Sequence, residues 1–235
     1  MKNKYGFILI KPQLGENIGA TARSLKNFGF KNLIITKPKC GWPNVKAKAT
    51  SVGAYDIINK AKVFDKIEKA IKPFDLVISL SARRRDINKK HISLKEFLKI
   101  IKKRKKNSIG LMFGPEASGL SNKDLSFSNY ILQIPTSSKF KSLNLSHSMI
   151  IVCYEIFKIL NEKITKKNNL PLKISSKSNI LSFVNHLTNL LEEKKFFLPK
   201  EKKSAMILNI NNLIYRLEPN DKELRILASI ISSLS

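Results

Sequence analysis

Sulfur, acid and long apolar runs are scarce in this chain. Two cysteines, Cys40 and Cys153, among 235 residues make neither a disulfide framework nor a metal-ligand spacing, which fits a reducing compartment. His91, His147 and His186 are scattered without a ligand pattern, so no metal is expected. No apolar stretch approaches the roughly 18 residues that a membrane span requires. The amino terminus "MKNKYGFILIKPQ" starts basic, but its apolar run of about six residues is short for a signal core. These features lead us to expect a cytoplasmic protein that meets no membrane. Familiar α/β signatures are missing too. No G-x-G-x-x-G follows the first apolar run, no Lys-Ser/Thr follows the Gly114–Gly119 pair, and no G-x-S-x-G is found. That excludes a dinucleotide loop, a P-loop and a nucleophile elbow.

What is abundant is positive charge. There are 44 Lys and Arg against 17 Asp and Glu, for a net charge of +27. Such an excess repels itself unless a polyanion is near, and nucleic acid is the usual one. A lysine-rich genome would also raise the total. Residues 1–164 hold 32 basic and 11 acidic side chains, and residues 165–235 hold 12 and 6. The densest clusters are "ARRRDINKKH" (82–91) and "IKKRKKN" (101–107), so a polyanion is expected to lie along the first segment. With 43% hydrophobic residues a packed core is feasible.

Short apolar runs at 5–10, 32–36, 75–80, 109–114 and 130–135 are bounded by Gly, Pro or Asn and read as buried strands. Helical patterns separate them, for example Ile18, Ala22 and Leu25, or Leu94, Phe97, Leu98 and Ile101. This alternation predicts an α/β fold with a mostly parallel sheet covered on both faces. The run from Met149 to Leu160 is apolar almost all round, so it is deeply buried or packs on another subunit. The expected division is a domain at 1–164, a polar linker at 165–177 and a small all-α extension at 178–235, with helices near 178–191, 202–217 and 220–234.

Three stretches fall at strand-to-helix junctions, where open parallel sheets bind ligands. They are "PQLGENIGATARSLKNFG" (12–29), "LMFGPEASGLS" (111–121) and "KFKSLNLSHS" (139–148). Individually their polar residues have plain explanations. Asn17 could cap a helix, Arg23 could be a solvated charge, and Glu116 could favour a helix dipole. Ser142, Asn144 and Ser146 could be caps and turn residues. Together, in order along one sheet edge, they point to a site.

"NIGATARSLKNFGF", "GLMFGPEASGLSN" and "LQIPTSSKFKSLNLSHSMIIVCYEI" resemble the three motifs of SpoU-type RNA 2′-O-ribose methyltransferases of the SPOUT superfamily. The spacing and helical tail are most similar to those acting on cytidine or uridine of tRNA. The resemblance implies a carboxyl-terminal trefoil knot, S-adenosylmethionine as cofactor, and a homodimer formed through the knot-region helices. It implies that Gly114, Ile134, Lys141, Ser142, Leu143, Asn144 and Leu145 hold the cofactor, with Leu80, Ser81 and Ala82 forming a third loop. Where the family often carries a small polar residue, this chain has Leu80, leaving that contact to the backbone. For catalysis it implies Asn17, Arg23, Glu116, Ser142 and Asn144, with Arg23 also meeting RNA beside Arg83, Arg84 and Arg85. The helical extension would grip the tRNA body, so deleting 165–235 should spare cofactor binding and weaken RNA affinity. Ribosomal RNA as substrate, methylation of a base nitrogen, and an inactive RNA-binding protein of the same fold are the alternatives.

Overall fold

A computed structural model of the chain describes residues 4–82, 87–161 and 173–233. The elements run β1 (Tyr5–Ile10), α1 (Gly15–Asn27), β2 (Leu33–Thr36), α2 (Val45–Thr50), α3 (Tyr55–Asn59), β3 (Lys62–Phe64), α4 (Ile67–Ile71) and β4 (Leu76–Leu80). After these come β5 (Lys90–Ile92), α5 (Leu94–Lys103), β6 (Ile109–Phe113), α6 (Asn122–Ser126), β7 (Tyr130–Leu132) and α7 (Leu145–Asn161). The chain then forms α8 (Lys177–Glu193), α9 (Lys203–Leu217) and α10 (Asp221–Ser233). The seven strands form one sheet in the order β3-β2-β1-β6-β4-β7-β5. Every strand pair in it is parallel. Five strands lie where the apolar runs place them. The edge strands β3 and β5 were not expected: each is three residues long and carries exposed lysine, so neither has an apolar pattern.

Alternate residues of each strand feed two cores. Phe7, Leu9, Ile35, Leu76, Ile78, Leu111 and Phe113 face α1, α5 and α7. Ile8, Ile10, Ile34, Val77, Met112 and Ile131 face the other way. The sheet is thus buried on both sides, as parallel strands require. Helix α5 begins with a capping box, in which the Ser93 side chain and Glu96 satisfy each other's backbone N–H groups. Its Phe97 and Ile101 are inserted into the first core.

The three helices after residue 176 cover the second face. Ile180, Phe183 and Val184 of α8, Ile214 and Tyr215 of α9, and Leu224 of α10 share a core with the sheet. Hydrogen bonds to backbone carbonyls reinforce the contact: Lys177 N–H donates to Phe74 O at 2.9 Å, and the Asn129 side-chain Nδ2 donates to Tyr215 O at 2.6 Å. Removing these helices would bare an apolar sheet face. The expectation that deleting 165–235 would touch only RNA affinity is therefore revised. Most of the expected linker, along with Arg83, Arg84 and Arg85, lies outside the described residues.

Basic residues expected to follow phosphates are partly structural. Arg104 pairs with Glu218, which sits in a left-handed turn after α9. Lys89 is buried, its ammonium donating to Ser126 O at 2.9 Å and Ser128 O at 2.7 Å.

Candidate active site

The carboxyl ends of β4, β6 and β7 release three loops around one cavity of about 310 Å³. Leu80, Ser81 and Ala82 line it from the first loop, and Gly114 to Gly119 from the second. Ile134, Lys141, Ser142 and Leu143 line it from the third, followed by Leu145 and Ser148 of α7. Phe113 and Leu132 contribute apolar surface at the strand ends. The volume lies at the lower end of small-molecule sites, which range from about 300 to 1,000 Å³.

Close backbone packing shapes the second loop. A Cβ on Gly114 would stand 2.4 Å from Leu120 N and 2.5 Å from Gly119 C, so no other residue fits there without moving the loop. Gly119 has φ +66, a left-handed conformation that glycine adopts at little cost. Its N–H donates to Pro115 O at 2.8 Å and closes the turn.

A chain of side-chain hydrogen bonds joins the three motifs. Glu116 accepts Gln13 N–H at 2.8 Å on one oxygen, and Leu14 N–H at 3.3 Å and Asn17 Nδ2 at 2.8 Å on the other. Asn17 Oδ1 in turn accepts from Asn144 Nδ2 at 3.0 Å. Asn144 Oδ1 accepts Ser146 N–H at 2.8 Å and Ser146 Oγ–H at 2.7 Å. Asn17 is therefore not a cap of its own helix, and Leu14, at the α1 N-cap position, makes no side-chain cap bond. Glu116 caps α1 from 102 residues away, where its charge also suits the helix dipole. Asn144 does cap α7, and one side chain serves as both cap and bridge.

Gln13 belongs to the same assembly, although the sequence reading did not single it out. Its Oε1 accepts Ala117 N–H at 2.9 Å, so the first and second loops hold each other reciprocally. Only its place in the first motif could have marked it. Lys141, Ser142, Leu143 and Asn144 make no backbone N–H hydrogen bond among the described residues. Such unpaired donors at a helix start suit a ligand with acceptor atoms.

The structure brings together Asn17, Glu116 and Asn144, and places Leu80, Ser81, Ala82, Gly114, Ile134, Lys141, Ser142, Leu143 and Leu145 on the cavity wall. Asn144 is held just outside it. Arg23 stands apart: it is exposed on α1, does not line the cavity, and makes no hydrogen bond or ion pair among the described residues.

Residues 5–154 match the model of the SpoU rRNA Methylase family. The chain belongs to the SpoU methylase family. It is 31% identical to tRNA (cytidine/uridine-2′-O-)-methyltransferase TrmJ of Photorhabdus laumondii, over 97% of this chain and 95% of that one. Its identity to tRNA (cytidine-2′-O-)-methyltransferase TrmJ of Methanocaldococcus jannaschii is 30%, over 92% and 93%. Among solved structures, TrmJ from Z. mobilis ZM4 superposes with a TM-score of 0.87 at 29% identity, covering 97% of this chain and 98% of that one. The likeness to that structure therefore extends through the carboxyl-terminal helices as well as the three motifs.

Proposed function

We propose that this SpoU methylase transfers a methyl group from S-adenosylmethionine to a ribose 2′-hydroxyl of tRNA, at a cytidine or uridine of the anticodon loop. One observation carries the reading: the Glu116–Asn17–Asn144 relay locks three loops around a cavity that has apolar walls and unpaired backbone donors at one end. That mixture fits an adenosyl group. Leu80, Ile134, Leu143 and Leu145 would flank the adenine, and the backbone of 141–144 would meet its polar edges. Bound there, the cofactor supplies a methyl already activated by its sulfonium.

The chain's own task is the weakly acidic hydroxyl. Ser142, exposed on the cavity wall, orders it. Glu116 is a positioning residue, since both its oxygens are engaged by donors. Arg23 acts as a donor, because a guanidinium offers five N–H groups and no acceptor. It holds the phosphate beside the target ribose and stabilises the developing alkoxide.

Arg23 reaches a cavity in a homodimer. Helix α7 leaves Ile150 39% and Tyr154 49% exposed, although its opposite side is fully buried. Phe28, at the end of α1, packs against Tyr154 and Phe157 at ring separations of 6.0 and 5.6 Å, extending that apolar surface. Pairing two such surfaces would cover the exposed rings and place each Arg23 at the other subunit's rim. The carboxyl-terminal trefoil knot belongs to the same proposal, as do RNA contacts from Arg83, Arg84, Arg85 and residues 178–235.

The test is methyl transfer from labelled S-adenosylmethionine to unmodified tRNA and, separately, to ribosomal RNA, followed by nuclease digestion and mass spectrometry. A ribose-methylated cytidine or uridine from tRNA is expected. A methylated base, or product from ribosomal RNA alone, would overturn the assignment.

A further inference from the structure

A second cavity, of about 410 Å³, shares no lining residue with the first. It is lined by Trp42, Pro43, Asn44 and Val45, by Lys48 of α2, and by Tyr55, Ile58 and Asn59 of α3. Trp42 is the chain's one tryptophan, and it rests partly on the first core while lining this cavity. Lys48 Nζ sits 4.9 Å from the centroid of the Tyr55 ring. Val45 and Tyr55 are both exposed. Apolar side chains are held open to solvent here, and an ammonium stands over one ring.

The surroundings are strongly basic. Residues 37–62 contain six lysines and a single acid, Asp56, which is already paired with Lys26 at 2.7 Å. The loop after β2 is built to hold its shape. Asn44 Nδ2 donates to Cys40 O at 2.8 Å, and Asn44 Oδ1 accepts Ala47 N–H at 3.0 Å. Both polar ends of Asn44 are thus consumed. By contrast, the Asn59 amide and the Trp42 indole N–H make no hydrogen bond among the described residues. Each is left to meet a guest.

The cavity is tied to the methyl-transfer machinery through the backbone. Lys39 N–H donates to Pro12 O at 2.9 Å, joining the loop after β2 to the loop after β1. Thr50 Oγ1 on α2, whose shorter contact is Lys46 O at 2.8 Å, also stands 3.2 Å from Glu16 O in the first turn of α1, the turn that carries Asn17. These contacts join the loop after β2 and helix α2, which carry much of the second cavity's lining, to the segment that carries Gln13 and Asn17.

We propose that the Trp42–Tyr55 cavity is a stacking subsite for an unpaired nucleobase of the substrate RNA, flanked by lysines that follow its phosphates. This rests on the reading of the chain as an RNA methyltransferase and adds where a second nucleotide is held. Aromatic rings stack on any base, and interleaved cations follow the backbone, so this combination suits single-stranded loops. Asn59 supplies an amide at the rim for a base edge. Such a subsite would fix the RNA at two points, orienting the target ribose at the first cavity.

Having one tryptophan makes the test direct, since all indole emission comes from Trp42. The wild-type chain is titrated with unmodified tRNA and with a single-stranded oligocytidylate of about ten nucleotides, within the usual single-strand site size. Quenching that saturates with binding is expected for both. In parallel, Tyr55→Ala and Lys48→Ala, together with Trp42→Ala if it folds, should raise the tRNA KM by about ten-fold, within the range for loss of one stacked base. Their kcat should stay within about two-fold, because stacking there is uniform binding. Trp42→Phe should retain most of the affinity. If tRNA is methylated normally while Trp42 emission and the variants' KM stay unchanged, the subsite is wrong and the function stands. If the oligonucleotide quenches Trp42 but no RNA is methylated, the subsite stands and the function falls. If neither occurs, both are wrong.

Discussion

Glu116, Asn17 and Asn144 behave as one unit, because the Asn17 amide links the other two, donating to Glu116 and accepting from Asn144. Replacing Asn17 by Ala leaves a Glu116 oxygen and the Asn144 amide short of a partner, which costs about 1–3 kcal/mol where the groups are buried. Asn17→Ala and Asn144→Ala should therefore each lower the melting temperature and turnover, yet the double variant should lose little more than either alone. A double-mutant cycle measured by denaturation and by kcat reads this coupling, and additive losses would show that the relay is incidental. Arg23 makes a different kind of prediction, because it makes no hydrogen bond or ion pair among the described residues. Arg23→Lys should leave folding and S-adenosylmethionine affinity unchanged by calorimetry while kcat drops about 100-fold, as for loss of one oriented donor. Near-normal turnover would rule out the fork-shaped contact. Mixing Arg23→Ala with Asn144→Ala subunits should restore part of the activity if Arg23 serves the opposite cavity.

At the scale of elements, the junction of α8 with the strand-connecting loop before β5 buries two lysines. Lys177 is fully buried, and Lys89 nearly so. Their ammonium groups sit 4.8 and 5.4 Å from the Tyr215 ring centroid. Desolvation pushes both down to about 7, with Arg216 adding repulsion at Lys89, and Lys89 itself at Lys177. Glu218 and Asp75 pull Lys177 back upward in part. An unfolded lysine titrates near 10.5, so between about 7 and 10.5 the unfolded chain binds more protons than the folded one. Stability must then rise with pH across that window and lose this dependence below it. Denaturant melts at several pH values should show the rise, and Lys177→Met should flatten it. A decline over the same window in the wild-type chain would mean that the lysines remain charged at no cost. Asn129 is not orphaned by the substitution, because Val77 N–H still donates to its Oδ1 at 3.0 Å.

The whole molecule is one sheet whose second face depends on the last three helices. Ile8, Ile10, Ile34, Val77, Met112 and Ile131 share one core with residues of α4 and α6 and with those of α8, α9 and α10. A chain ending at residue 164 would expose that face, and contiguous apolar patches of several hundred Å² drive association. The truncated chain should be recovered aggregated or molten, with no cooperative thermal transition, while the full chain melts in one step. A soluble, cooperative fragment that binds S-adenosylmethionine would show that the helices are an accessory. The charge belongs to this scale as well. Among the described residues, buried Lys89 and Lys177 are matched in number by buried Asp75 and Asp124, and Arg104 is paired with Glu218, so the excess of positive charge is left on the surface.

Periodicity settled most of the architecture before any coordinates. Near-continuous apolar runs such as 5–10 and 109–113 can only be strands buried on both faces, and the stripes of α1 and α5 can only be helices laid upon them. β3 and β5 escaped because three-residue edge strands are held by neighbours' backbone groups, which leave no mark on side-chain pattern. The motifs lie in loops that the structure gathers around one cavity, but polarity alone could not say that Glu116 caps a helix 102 residues away, or that Asn17 faces Glu116 instead of its own backbone. Nor could it tell a buried Lys89 from a solvated one, since charge reads the same in sequence wherever it resides. Local pattern records what each segment wants from its immediate chain neighbours. The pairing of polar atoms across the sheet edge, and the covering of its second face, are choices among distant partners, and only the packed structure makes them.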